Sequence, residues 1–411
     1  MYNLHLTPEQ IEIRDTVRDF ATREVRPVVL KSDRLDVRDR TLPIDLLDQA
    51  SHMGLRTLAL SDAAGGSGAD HLTCCLVAEE LAACDADFAA VLAETAWLAH
   101  VLFDQAMSEA QREKFLPKFL DDHRCHLAFA GLEQGTEPRL GAHYHRPTQA
   151  DAVPSTTAVQ AAGGEWIVNG TKDCVANAPI AGLFAVLVQI PARHAPGVVL
   201  VPADAAGTAV RAHDKPWRHG VSGAVTFTDC KVPADHLLGE DAAGLLTGAA
   251  AAGRGIPLAP AINLGIGRAA YEAALDYARL RVQGGRPIIE HQAIGTKLAE
   301  IAVRLEAARA AVWNAAWASD HPDAFADQSL ADLPLQTVAQ VFVSETLYHA
   351  VKDAAELFGA MGVMRDMPLQ KYVHDALVCL HSHGGNGDAK LRIAERLAGY
   401  RRAAAQAAAA E

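Results

Sequence analysis

With 411 residues, 50% of them hydrophobic, the chain is long enough for two or three packed units with large cores. A formal net charge of −13 argues against nucleic acid as a partner, and no run approaches the roughly 18 apolar residues that a membrane span needs. Seven cysteines without C-x-x-C spacing suit reduced thiols and a cytoplasmic setting better than a disulfide frame.

The opening stretch lacks a basic flank followed by an apolar run, so no signal peptide is expected. The first third reads helical. "LTPEQIEIRDTVRDFATREV" begins with Thr7 as N-cap, Pro8 at the first helical position and Gln10 completing a capping box. Ile11, Ile13, Val17, Phe20 and Val25 give this helix a broad apolar face. "LPIDLLDQASHMG" and "HLTCCLVAEELAACDADFAAVLAETAWLAHVLFDQA" continue the helical pattern around a loop, "SDAAGGSGAD". "SEAQREKFLPKFLDD" is another short helix.

Near residue 125 the text changes to short apolar runs broken by Gly, Pro, Asn and Asp. "AVQAAGGEWIVNG" reads as a hairpin turning at Gly163 and Gly164. "LFAVLVQI" and "APGVVLVPA" read as buried strands, and "LGAHYHRPTQADAVPSTTA" as an irregular loop. From about residue 240 the pattern is helical again. Ile294, Leu298, Ile301, Leu305, Ala308 and Val312 recur at spacings of four and three, the seam of a long bundle helix. Val343, Leu347, Val351, Ala354 and Phe358 repeat it, and the tail "AAAQAAAAE" reads as frayed.

This layout and several local motifs resemble the acyl-CoA dehydrogenase family over nearly the whole chain. "GEWIVNGTKDCVANA" is similar to the family's middle-domain signature, and "DKPWRHGVSGAVTFTDCKVPADHLLGE" to the segment closing that domain. "GRGIPLAPAINLGIGRAAYEAALDYARLRVQGGRPIIEHQAIGTKLAEI" resembles the first bundle helices, and "AELFGAMGVMRDMPLQKYVHDA" the Gly-rich turn before the last helix. The resemblance implies an α+β fold. Residues 1–124 would form an N-terminal helical domain, 125–239 a central β-barrel or sandwich, and 240–405 a C-terminal four-helix bundle. It also implies FAD, an acyl-CoA substrate, and an electron-transfer flavoprotein or another electron acceptor. A homotetramer or heterotetramer would follow. The family oxidises the Cα–Cβ bond of the thioester, a carboxylate taking the α-proton while the β-hydrogen leaves as hydride.

Aligned on the family's "RDA" helix and "EGT" turn, "HDALVCLHSHGG" puts His383 at the usual base position. A branch of the family draws its Glu from the start of a bundle helix, where this chain has Gly253. Neither usual carboxylate is present. Three readings stay open: His383 is the base, the fold runs desulfinase-like or oxygenase-like chemistry, or the chain is a non-catalytic subunit of a heteromer. His381 and His383 have no third ligand nearby, so no metal is expected.

The resemblance gives the flavin loop as "LEQGTEPR". Glu133 and Gly135 are retained there, while Leu132 and Pro138 replace a Thr and a Ser. Cys174 stands for the Trp over the flavin and Ala176 for a Thr, leaving the backbone N–H groups of Val175 and Ala176 to face the ring. Arg281 matches the Arg that reaches the pyrophosphate across a subunit interface. Gln292, Gly359 and Gly362 match adenosine-side contacts; Glu356 replaces a Gln, and Gly284 replaces an aromatic, which would loosen the packing. Arg254 corresponds to the Arg near the thioester end of CoA. Phe129 and the "ETAWLAHVL" helix would line part of the acyl pocket; His100 would face it, while Trp97 reads as core packing in preference to a pocket wall.

Overall fold

The computed structural model of the chain describes residues 5–31, 35–37, 39–133, 154–213, 218–251, 256–321, 333–381 and 385–397. α1 (Pro8–Phe20) starts on the expected capping box: Gln10 N donates to Thr7 Oγ1 at 3.2 Å, and Thr7 N to Gln10 Oε1 at 3.0 Å. A π-helical turn (Ala21–Val25) joins it to α2 (Arg26–Val29). Val17, Ala21, Val25 and Val29, four residues apart, form the buried seam, whereas Ile11 is 39% exposed. After α3 (Ile44–His52), the run from His71 to Ala106 is broken into α4 (His71–Ala82) and α5 (Ala86–Ala99). The break is local chemistry. Asp85 takes an extended conformation and its carboxylate accepts from Phe88 N at 2.8 Å, an N-cap inside an otherwise continuous apolar pattern.

α4 is buried almost all round and carries two acidic residues into the core. Glu80 pairs with Arg18 of α1 at 2.7 Å and with Arg268 at 2.6 Å, and Glu79 with Arg309 at 3.0 Å. Arg268 lies on α8 (Leu258–Leu280) and Arg309 on α9 (Gln292–Asp320), so the N-terminal helices and the bundle share charges. They also share one apolar core, running from Val17 through Leu81 and Phe88 to Leu264, Leu305 and Leu347. At Gly265 a Cβ would sit 2.4 Å from the Glu79 carbonyl; glycine is what lets α4 and α8 approach. With its π-helical continuation, α5 (Ala86–Ala106) is long and apolar enough to cross a bilayer by length and composition, and 67% of that stretch is buried inside the fold.

α6 (Glu109–Asp121) begins on a second capping box, Ser108 with Gln111. The fully buried Arg56 donates to the carbonyls of Phe119 at 2.5 Å and Cys125 at 2.9 Å, so a cation terminates this helix where its dipole favours one.

The strand-rich part contains β1 (His126–Ala130), β2 (Thr157–Gln160), β3 (Trp166–Ala176), β4 (Ala181–Ile190), β5 (Ala195–Pro202), β6 (Thr208–Ala212) and β7 (Ser222–Val232). The hairpin at Gly163–Gly164 forms, joining β2 antiparallel to β3. The order is β1-β4-β2-β3-β7-β6, with β5 on β4. This corrects the barrel expectation: among the described residues it is an open, mixed sheet, because β1 runs parallel to β4 and β6 pairs only with β7. Phe184, Val186, Val199, Val225 and Phe227 form its own core.

The C-terminal part has α7 (Ala242–Ala251), α8, α9, α10 (Leu335–Leu357), α11 (Pro368–His381) and α12 (Gly385–Leu397). The expected seams of α9 and α10 are buried from Leu298 to Val312 and from Val343 to Phe358. A small hairpin of β8 (Val282–Gln283) and β9 (Arg286–Pro287) links α8 to α9. The tail falls outside the described residues.

Candidate active site

β3 loses register before it ends. Between Lys172 and Val175 its pairing with β7 shifts, so Asp173 and Cys174 bulge out, Cys174 at φ 54°. The bulge turns both side chains toward the end of β6. His213 lies 3.0 Å through Nε2 from Asp173 Oδ1 and 3.2 Å through Nδ1 from Ser222 Oγ. The Cys174 sulfur is within 4.8 Å of this pair, and Arg218 Nη1 donates to the Cys174 carbonyl at 3.4 Å. Both nitrogens of His213 are satisfied by these hydrogen bonds.

The strand end is anchored by residues that motif reading passed over. Asn177, 1% exposed and at φ 59°, donates from Nδ2 to Val91 O and Thr95 Oγ1, both at 3.1 Å. It thereby pins β3 to α5. Lys172, fully buried, lies 2.6 Å from Glu133 Oε1. Burial opposes the Glu133 charge, but Lys172 together with Ser155 and Thr156 outweighs it and holds the carboxyl down at about 2. Ser155 donates from N at 2.7 Å and from Oγ at 2.5 Å, and Thr156 from N at 2.9 Å. Glu133 therefore faces inward. It fixes the chain after β1 against β3. By strand alternation Lys172 falls on the same face as the buried Trp166 and Val168, and that was the available signal for a buried pair.

Beneath this strand end lies a cavity of about 250 Å³, lined by Arg40, His213, Arg218, His219, Ser222 and His374 among others. Ser222 is the β7 partner of Ala176, so the cavity opens next to the segment expected to face a flavin. Val175 and Ala176 are themselves 2% and 6% exposed, their side chains packed away. Phe129 is half-buried beside Trp97 in the second apolar cluster, and Leu132 is 43% exposed. α11 forms the opposite wall through His374 and Val378, and leads into the segment that carries His383. His383 itself, Gly135 and Arg254 fall outside the described residues.

A second group sits at the end of the bundle where α8 and α10 finish and α9 begins. Arg281, the C-cap of α8, is exposed, and among the described residues no carboxylate pairs with it. Gln292 opens α9, also exposed. Tyr277 stacks on Phe358 at 4.2 Å, and Lys297 bonds Glu356 at 2.6 Å, holding the three helix ends together. Gly359 takes φ 59° with open space where a Cβ would be; at Gly362 a Cβ would lie 2.2 Å from the Ala355 carbonyl. Gly284 and Gly285 both have positive φ, 63° and 81°, as a two-residue hairpin turn demands. The turn therefore requires the glycine that motif comparison read as a lost aromatic. Leu280, Val282, Met361, Val363 and Met364 leave an exposed apolar surface around this group. Among the described residues, no hydrogen bond or ion pair joins it to the β3 cleft of the same chain.

These donors suit a dinucleotide. An unpaired guanidinium, a helix N-terminus and an open left-handed glycine fit a diphosphate and its adenosine. The cleft at β3 offers a half-buried thiol, an exposed leucine and a neighbouring cavity, which fit a planar ring.

Three successive family models match the chain: acyl-CoA dehydrogenase N-terminal domain over residues 7–123, middle domain over 134–230 and C-terminal domain over 257–398. An acyl-CoA dehydrogenase of Bacillus subtilis is 29% identical over 403 residues, 96% of this chain and 100% of that protein. A short-chain specific acyl-CoA dehydrogenase of Megasphaera elsdenii is 28% identical, covering 93% of this chain and 96% of its own. The solved butyryl-CoA dehydrogenase of Megasphaera elsdenii superposes with a TM-score of 0.81 at 26% identity over 97% of this chain and 100% of that one. Glutaryl-CoA dehydrogenase of Mycobacterium smegmatis, in complex with FADH2, shares the fold at a TM-score of 0.78 and 21% identity, over 96% of each chain.

Proposed function

The chain belongs to the acyl-CoA dehydrogenase family, and from that premise we propose how its own residues divide the work. It is a FAD-dependent oxidoreductase acting on an acyl-CoA thioester. Bound flavin supplies a two-electron acceptor for the β-hydrogen of the substrate. The chain supplies the base, the orientation and a dry site. His383, in neutral form, accepts the α-proton in place of the carboxylate usual in the family. Phe129 contacts the acyl chain, and Arg254 the CoA side of the thioester.

The β3 bulge at Cys174, with the backbone of Val175 and Ala176, forms the ring-facing wall. Glu133 and Gly135 shape the loop beside it, Glu133 indirectly through Lys172. Arg281, with Gln292, Gly359 and Gly362, holds the diphosphate and adenosine of the cofactor on a neighbouring subunit. That accounts for their exposure at an apolar bundle end, and the resulting assembly is a homotetramer or a heterotetramer. An electron-transfer flavoprotein or another acceptor takes the electrons onward. A cytoplasmic location agrees with seven free cysteines.

The observation that carries this reading is the single cavity shared by Ser222, the partner of Ala176, and His374 and Val378 of α11, just ahead of His383 in the chain. The test is flavin content. Purified protein should be yellow and carry stoichiometric FAD, released on denaturation and measured by absorbance. Protein that emerges colourless and takes up no FAD on incubation would remove the reading.

A further inference from the structure

One imidazole ties three elements together outside the residues assigned above. His219 lies just before β7, and the next residue, Gly220, at φ 84°, would place a Cβ 3.5 Å from Ala90 and Val91. The segment therefore lies directly on α5. Gly220 N donates to Asp87 Oδ1 at 3.0 Å. His219 Nδ1 is 3.1 Å from the same oxygen, and its Nε2 is 3.0 Å from the Asp375 carbonyl on α11. A carbonyl only accepts, and so does an ionised carboxylate, so both ring nitrogens must carry protons. His219 is thus a cation with only 10% of its side chain exposed.

The surroundings are charged on every side. α5 presents Asp87 and its N-cap Asp85; α11 presents Lys371, His374, Asp375 and Cys379; Arg40 approaches from the N-terminal part, and Arg218 is the chain neighbour. Lys371 Nζ lies 2.6 Å from Asp375 and 3.2 Å from Asp85, and Arg40 Nη1 lies 2.6 Å from Asp375. Three cations and three carboxylates therefore close into a network. Burial works against the His219 charge, but Cys379 and Asp87 keep the ring well above the usual histidine value. Asp375 is held well below the usual carboxylate range by Lys371 and Arg40 despite its burial.

We propose that His219 is a positioning residue: protonated, it ties α5 to α11 and so holds the α11 wall of the cavity, His374 and Val378, in place. The proposal rests on the reading of that cavity as the place where the acyl-CoA reacts. Because the folded value is raised, the stabilisation from His219 is fully present below the unfolded value, roughly 6.5, and is lost as pH rises through the folded one. Above that point one ring nitrogen becomes an acceptor, and either Asp87 or the Asp375 carbonyl loses its donor.

The test compares wild type with His219→Gln and Asp87→Asn, all FAD-loaded, across pH. Two readouts are used: amide hydrogen exchange of α11 and the rate of anaerobic bleaching by butyryl-CoA. Gln supplies donors on one side only and does not titrate. Exchange in α11 should speed up about tenfold at neutral pH, the equivalent of one buried hydrogen bond. Bleaching should slow by on the order of 10- to 100-fold, as misplaced catalytic groups do. The alkaline decline of wild type should flatten in His219→Gln and move to lower pH in Asp87→Asn, which weakens the hold on the proton. Should His219→Gln fail to fold, the shift in Asp87→Asn decides alone. Unchanged α11 exchange with a wild-type pH profile in both variants overturns the proposal. Altered α11 exchange in the variants, with a wild type that butyryl-CoA does not bleach, supports the tie while counting against the reading of the cavity as a site for that thioester.

Discussion

Replacing His383 by alanine is expected to slow reduction of bound flavin by an acyl-CoA on the order of 100-fold or more. The expectation follows from what the chain lacks. Both family positions for a carboxylate are taken by other residues, Gly253 and His383; four acids around the β3 cleft are engaged elsewhere, and burial pushes a further one, the Glu94 carboxyl beside Arg218, up from its ordinary value. Asp87 is held by His219, Asp375 by Lys371 and Arg40, Asp173 by His213 and Glu133 by Lys172. An imidazole needs no desolvation of a carboxylate to accept a proton near neutral pH. The measurement is stopped-flow absorbance under anaerobic conditions at saturating substrate, with FAD content checked in parallel. His383→Glu should recover most of the rate, since it restores the family's usual group. A His383→Ala rate equal to wild type would move the base to another residue.

Lys172→Met is expected to lower unfolding stability by about 3–5 kcal/mol at pH 7, the range for breaking a buried ion pair from one side. Lys172 is 0% exposed and Glu133 3%, so solvent cannot replace the lost partner. Burial draws the Lys172 ammonium below its ordinary value, and Glu133 only partly compensates; Glu133, with further donors from Ser155 and Thr156, is the partner whose charge is firmly held. Its carboxyl sits at about 2, below an unfolded value near 4.3, so its contribution is complete above roughly pH 4.3. That contribution fades as pH falls through the folded value. Urea unfolding at pH 7 and pH 4 checks both points: the gap between wild type and variant should narrow at the lower pH. Lys172→Met with Glu133→Leu should regain part of the loss, because no charge is then left buried alone. A single variant as stable as wild type at pH 7 would show that the pair contributes little to the fold.

Much of the architecture is written in short-range chemistry. The capping boxes at Thr7 and Ser108 mark helix starts because residue type and spacing alone satisfy the first free N–H groups. The seams of α9 and α10 were legible because burial on one face imposes spacings of three and four. The turn at Gly163–Gly164 was legible because the conformation admits little else. What stayed hidden depends on distant partners. The break at Asp85 sits where apolar runs continue on both sides, and the cap hydrogen bond reveals it. The sheet is mixed because β1 joins β4 in parallel and open because, among the described residues, the end strands β1 and β6 do not pair with each other, neither of which strand text encodes.

The site shows the same division. Arg281 stood out through its match to the family's pyrophosphate-facing Arg, and it is exposed with no carboxylate partner among the described residues. Glu133 was legible only as a motif residue; its bonds to Lys172, Ser155 and Thr156, residues 22 to 39 positions away, were not. Asn177 and His219 gave no motif signal at all, since their roles exist only where β3, α5 and α11 meet.

The most direct test of the account is anaerobic titration of the FAD-loaded protein with a panel of acyl-CoA thioesters, short, long, branched and aromatic, followed by absorbance. The account predicts that at least one bleaches the oxidised flavin and yields the corresponding enoyl thioester. Protein that binds these thioesters tightly, yet keeps its oxidised spectrum with every one of them, would contradict it.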